Sequence, residues 1–157
     1  MQGRLAHGDV PTILDPARMT EKDSYRLMIS AFVPRPIAFV STRSRDGRTN
    51  CAPFSYSMGV SSHPMILAVS VGDRDGRPKD TARNILDTRE FVVNIVTEDI
   101  AEKMNVASGD FADSVSEFDE AGLTPAASEI IDLGTGSRRK VTDRDRRENG
   151  LIFLSMT

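Results

Sequence analysis

The chain has 157 residues, 39% of them hydrophobic and 27% charged, with a net charge of −3. That is enough for one domain with a buried core and an ordinary globular composition, and it supplies no basic field for nucleic acid. The single cysteine, Cys51, excludes an internal disulfide framework, and no apolar run suits a secretion signal or a span of roughly 20 residues, so a cytoplasmic protein without a membrane partner is expected.

Residues 1–18 read as an irregular arm punctuated by Gly8, Pro11 and Pro16. Thr20 is placed to cap a helix whose apolar positions Tyr25, Met28, Ile29 and Phe32 follow helical spacing, and Pro34 and Pro36 end it. Ile37 to Thr42 is a β-branched and aromatic strand, and Arg45-Asp46-Gly47-Arg48 carries the Asp-Gly signal of a hairpin. The return strand runs from Thr49 to Val60. Pro53 interrupts it and cannot donate to a ladder, so the strand is expected at a sheet edge or bulged.

Pro64 to Gly72 is a third strand, with Ile66-Leu67-Ala68-Val69 too continuously apolar for a sheet wet on one side. A loop, Asp73 to Pro78, leads to a short helix, Asp80 to Thr88, capped by Asp80 or Thr81. Glu90 to Thr97 reads as a strand and Glu98 to Ala107 as a helix. Residues 108–128 form a long acidic connection with little periodicity, expected to be a functional or interface loop. From Asp132 the character changes. Residues 138–148 are highly charged without an apolar face and read as a solvated tail, and Leu151 to Met156 is an apolar candidate strand. The division is an arm (1–18), a folded domain (19–131) and a charged tail (132–157). Short strands at hairpin spacing with few helices point to a mainly β fold with flanking helices, a small barrel.

Two polar sets stand at strand and helix ends and suit a phosphorylated, planar cofactor. Lys79-Asp80-Thr81 opens a helix, where free N–H groups favour an anion and Lys79 and Thr81 add a charge and a hydroxyl; plain capping is the alternative. The Asn50–Ser55 strand, broken by Pro53, leaves backbone groups free for a ring edge, with Asn50 as donor and acceptor and Ser55 as a hydroxyl. Its alternative is an edge strand guarded against aggregation. Cys51 lacks a partner and reads as a small buried hydrophobe. His7 and His63 are isolated, so no metal site is expected. Gly134-Thr135-Gly136 has Arg139 where a dinucleotide loop needs its third glycine. No dyad or triad marks a catalytic side chain.

Taken in order, Pro34-Arg35-Pro36-Ile37, Val40-Ser41-Thr42, Gly47, Asn50-x-Ala52-Pro53-Phe54-Ser55, the strand ending in Ser70, Lys79-Asp80-Thr81-x-x-Asn84-Ile85, Glu90-Phe91-Val92-Val93-Asn94 and Glu117-Phe118-x-x-Ala121-Gly122-Leu123 resemble the flavin-reductase-like family of FMN-binding split β-barrels. The resemblance covers about residues 20–131. It implies FMN as cofactor, held by Arg35, Ser41, Thr42, Asn50, Ala52, Ser55, Ser70, Lys79, Asp80 and Thr81, with NADH or NADPH as electron donor. It also implies a homodimer with the flavin near the subunit interface and a small-molecule or protein electron acceptor. For Thr42, with Ser41 beside it, the alternative is a solvated strand-end hydroxyl, for Ser70 an alternating strand position, and for Arg35 a solvated side chain. Family members continue past the position of Ile131 into further strands, whereas Asp132–Thr157 departs from that pattern, so the barrel is expected to be incomplete there. The implied activity is an NAD(P)H-dependent flavin reductase or related oxidoreductase. A non-enzymatic FMN-binding electron carrier and an inactive truncated member are the alternatives.

Overall fold

A computed structural model describes residues 13–63, 65–74, 76–112, 114–126, 140–141 and 151–156. The chain divides into two units, Met1–Pro34 and Arg35–Thr157. In the first, a 3-10 turn (Pro16–Arg18) precedes helix α1 (Glu21–Ala31), which Thr20 caps by accepting from the Asp23 N–H at 3.1 Å. The predicted apolar positions Tyr25, Met28 and Phe32 all remain exposed.

The second unit is mainly β. Strands β1 (Ala38–Arg43) and β2 (Thr49–Phe54) form an antiparallel hairpin, and Gly47 turns it with φ 92°, a conformation that favours glycine. With β7 (Val92–Ile95) they make a three-stranded sheet in the order β2-β1-β7. Pro53 therefore lies on an edge strand, as its missing donor requires.

The predicted return strand to Val60 is two strands. Ser55 and Tyr56 break it, and β3 (Ser57–Ser62) leaves for a second sheet, pairing with β4 (Met65–Ser70). A single strand cannot serve two sheets without a corner, and the segment after Pro53 supplies one. The second sheet has the order β3-β4-β9-β8, with β8 (Lys140–Val141) and β9 (Leu151–Met156). The candidate strand Leu151–Met156 thus forms and pairs with β4, although it lies in the stretch assigned to a charged tail. The rest of the predicted tail, like the Gly134-Thr135-Gly136 loop and most of the N-terminal arm, lies outside the described residues. No ladder joins the two sheets among the described residues, so the barrel is not closed.

The loop expected at Asp73–Pro78 forms a minimal ladder, β5 (Asp73–Arg74) with β6 (Arg77–Pro78). Helix α2 (Asp80–Thr88) follows, and its predicted side-chain cap is absent. Lys79 occupies the N-cap without a side-chain bond, Asp80 turns instead to Arg83 in an ion pair, and Thr81 faces the sheet. After β7, a 3-10 turn (Glu98–Ile100) and α3 (Ala101–Val106) fill the predicted helical stretch. The acidic connection contains a further helix, α4 (Glu117–Glu120), whose Phe118 is buried.

Strand β1 is buried on both faces, and its alternation divides the core. Ala38 and Val40 pack with Phe54, Val69, Val71, Ile85 and Phe91; Phe39 packs on the other side with Cys51, Ala107, Phe118 and Ala121. The edge strand β2 consequently runs between α2 on one face and the α3–α4 segment on the other. No helix among the described residues is long and apolar enough to cross a membrane.

Candidate functional site

Helix α2 is fixed on the sheet by two buried polar bridges. Thr42 and Asn50 are cross-strand partners on β1 and β2. Thr81 and Asn84, one turn apart, therefore reach them together: Asn84 Nδ2 donates to Thr42 Oγ1 at 3.1 Å, and Thr81 meets the Asn50 amide at 3.1 Å. All four side chains are buried, so each bridge forms out of contact with water and is costly to break. At the other end of α2, Arg45 of the hairpin turn donates to the Asp87 carbonyl at 3.2 and 3.3 Å, a cation placed on a helix C-terminus.

These constraints leave a cleft of about 570 Å³ along the β2 edge. One wall is apolar, from Ala52, Pro53 and Phe54 of β2 together with Pro78 and Phe111. The rim is cationic, with Arg74 and Arg77 from the β5–β6 ladder, Lys79 at the helix N-cap and Arg83 one turn later. Lys79 Nζ stands 5.9 Å from the Phe54 ring centre, at the outer range of a cation–π contact. Arg74 also pairs with Asp110 at 2.5 Å, and Arg83 with Asp80.

The third side comes from the acidic connection. Ser108, Gly109, Phe111 and Glu117 all line the cleft. A Cβ at Gly109 would stand 3.0 Å from the Phe111 ring, so glycine there allows the ring to lie against the backbone. Glu117 Oε1 lies 3.0 Å from the Asn50 amide nitrogen, and the amide oxygen accepts from the Cys51 N–H at 3.2 Å. Burial pushes the Glu117 carboxyl above its ordinary range and Asp80 adds to this, while Arg74 and the Cys51 N–H oppose it. Burial also pushes the Cys51 thiol up to about 12, with the Glu117 charge contributing.

Of the residues expected at the site, Asn50, Ala52, Lys79, Asp80 and Thr81 are brought together in this cleft. The other five are placed elsewhere. Thr42 is buried beneath α2, and Ser41 is buried on the opposite face of β1, where its hydroxyl accepts from Asn94 Nδ2 at 3.1 Å. Neither is a solvated strand-end hydroxyl. Ser55 lies at the corner between the sheets, Ser70 ends β4 with its N–H donating to the Tyr56 carbonyl at 2.8 Å, and Arg35 is half-buried ahead of β1. Arg74, Arg77, Arg83, Phe111 and Glu117 were missed. The spacing of basic residues through Arg74, Arg77 and Lys79 was the signal available for the first two. The helical pocket residues of the connection had only the Glu117-Phe118 pair.

An uncharacterised protein of Aquifex aeolicus is 48% identical over 108 residues, 68% of this chain and 55% of the relative. A second, YwrF of Bacillus subtilis, is 40% identical over 87% of this chain and 66% of its own length. The chain thus spans about half to two thirds of these relatives. Nitrilotriacetate monooxygenase component B from Bacillus cereus superposes with a TM-score of 0.80 at 30% identity, covering 94% of this chain and 79% of that one. The 2-nitrobenzoate 2-nitroreductase of Pseudomonas fluorescens gives 0.78 at 27%, covering 92% and 74%. The fold is that of the flavin-reductase-like split barrels, and the sequence model of the flavin reductase like domain matches residues 29–137. The chain belongs to the flavin reductase-like family.

Proposed function

We propose that this chain is an FMN-binding flavoprotein, an NAD(P)H-dependent flavin reductase or related oxidoreductase, acting as a homodimer on a small-molecule or protein electron acceptor. The observation that carries this reading is the pairing, in one cleft, of a four-cation rim with an apolar wall. A phosphorylated planar ligand makes those two demands at once, and the volume is in the range of sites for small ligands, roughly 300–1,000 Å³. Lys79, Arg74 and Arg77 would take the phosphate, assisted by the unsatisfied N–H groups at the start of α2. Ala52, Pro53, Phe54 and Phe111 would flank the ring, and the edge strand would offer backbone groups to its polar margin. When bound, the flavin supplies the two-electron redox chemistry. The protein's part is orientation, charge and exclusion of water.

The names of the two similar structures, a monooxygenase component and a nitroreductase, also belong to redox proteins. The homodimer is supported by apolar side chains left exposed: Tyr25, Met28 and Phe32 on α1, and Met58, Val60 and Met65 on the β3–β4 hairpin.

Gel filtration after FMN addition tests the reading. Visible flavin absorbance should elute with the protein at the dimer position, and the loaded protein should oxidise NADH or NADPH in the steady state. Bound flavin without turnover would assign a carrier. Colourless protein would end the proposal.

A further inference from the structure

We infer that Asp110 is a specificity-determining residue: it competes with the ligand's phosphate for Arg74, and so sets how strongly the cleft prefers a phosphorylated over an unphosphorylated ligand. The inference rests on the flavin reading above and refines its anion site.

The four rim cations are not equivalent. Arg83 is held by Asp80, three residues earlier on the same helix. Arg74 Nη2 stands 2.5 Å from Asp110 Oδ1. Arg77 and Lys79 form no ion pair among the described residues. Two cations are thus uncommitted, and a third is shared with a carboxylate of another segment.

What the Arg74–Asp110 pair joins gives it its meaning. Arg74 belongs to β5 and Asp110 to the acidic connection, and both neighbours of Asp110, Gly109 and Phe111, line the cleft. Arg74 lines it too, whereas Asp110 does not. A cleft residue is therefore bonded to a carboxylate outside the lining. The charge of Arg74 nevertheless acts inside. Burial is the main influence on the Glu117 carboxyl, and Arg74 is among the groups that oppose it.

Exchange of partners costs little. The Asp110 side chain is 80% exposed and that of Arg74 48%, so water solvates the carboxylate when the guanidinium leaves, and an exposed ion pair is weak. A phosphate monoester carries about −1.5 to −2 charges near neutral pH and accepts both arms of a guanidinium, so it outcompetes a single carboxylate. Arg77 and Lys79 meet the phosphate directly, and Arg74 joins them by leaving Asp110. Riboflavin, with no phosphate, makes no claim on Arg74. Asp110 consequently narrows the gap between FMN and riboflavin and eases release of the phosphorylated form.

The test measures affinity for FMN, riboflavin and inorganic phosphate on the full chain, by flavin fluorescence and titration calorimetry. Salt is held at about 0.15 M, where the Debye length is about 8 Å and through-space effects of an exposed charge are largely screened. Asp110→Asn keeps the shape of an exposed side chain and should tighten FMN and phosphate by about 3-fold, the scale of one exposed ion pair, with riboflavin unchanged. In an Arg74→Ala background the same substitution should gain nothing, because the contested cation is gone. Unchanged FMN and phosphate affinity in Asp110→Asn would overturn the inference. A gain that persists in Arg74→Ala would overturn it as well, by assigning the effect to the field of Asp110 alone. Equal weakening of FMN and riboflavin would show instead that the pair holds the Gly109–Phe111 wall in place. Wild-type protein that binds phosphate but neither flavin would sink the flavin reading, and the same comparisons on phosphate would still decide the role of Asp110.

Discussion

The most telling residues are polar ones that the fold has buried. Thr42 and Asn50 sit opposite each other on β1 and β2, and each is claimed by a side chain of α2. Hydroxyl and amide groups that look like ligand contacts in a linear reading also serve to dock a helix, because a buried donor or acceptor without a partner costs about 1–3 kcal/mol. Cys51 shows the same economy of environment. Fully buried, its thiol is pushed up to about 12, so the thiolate is absent at neutral pH. Folded protein at pH 8 should react negligibly with an alkylating reagent, and denatured protein should react at the rate of a free thiol; comparable rates in both states would contradict the burial. Glu117 gives a pH signature of opposite use. Its carboxyl is raised in the folded state, first by burial, so the native protein binds that proton more tightly than the unfolded chain. Its relative contribution is most favourable below the ordinary carboxylate value of 4.5 and declines as pH rises through the raised folded value. Denaturant midpoints should therefore show wild type losing stability relative to Glu117→Gln as pH increases through that window. Parallel curves would refute the shift.

At the scale of elements, the cleft depends on three segments meeting at one strand edge. The sequence makes the β1–β2 hairpin and α2 readable, because an Asp-Gly turn, a β-branched run and a helix start are local signals. The edge position of Pro53 was also legible, since the missing N–H excludes a central strand. The break at Ser55–Tyr56 was not. A corner between two sheets is set by where each half finds a partner, and β3 finds β4 only through tertiary pairing. Helix α4 escaped for a related reason. Four residues are too short for a periodic signal, and Phe118 becomes a core residue only once Phe39 and Cys51 are beside it. The connection is accordingly a wall of the cleft as well as a link. Gly109 tests that wall. A methyl group there would stand 3.0 Å from the Phe111 ring, so the ring must shift. Gly109→Ala should weaken FMN binding by about 1 kcal/mol, the scale of a modest packing change, with little change in melting temperature. Unchanged affinity would remove Phe111 from the ligand contact.

For the whole molecule, the order of motifs carried the family, while the details of the site required the fold. Asn50, Ala52, Lys79, Asp80 and Thr81 converge as the order suggested; Ser41 and Thr42 lie under other elements, and the cationic partners of Lys79 came from a loop whose residues look unremarkable in sequence. Sheet β3-β4-β9-β8 shows that the chain end contributes structure, a pairing invisible in a segment that departs from the family pattern. The proposed redox role is argued from the cleft. The most direct measurement is an FMN titration of wild-type protein and Lys79→Ala by flavin fluorescence, repeated with riboflavin. Saturable FMN binding is predicted, weakened in Lys79→Ala by about 1.5–3 kcal/mol for a lost charge-assisted contact, with riboflavin affinity little changed. No saturable binding, or FMN affinity indifferent to Lys79, would contradict the placement of a flavin phosphate at the start of α2.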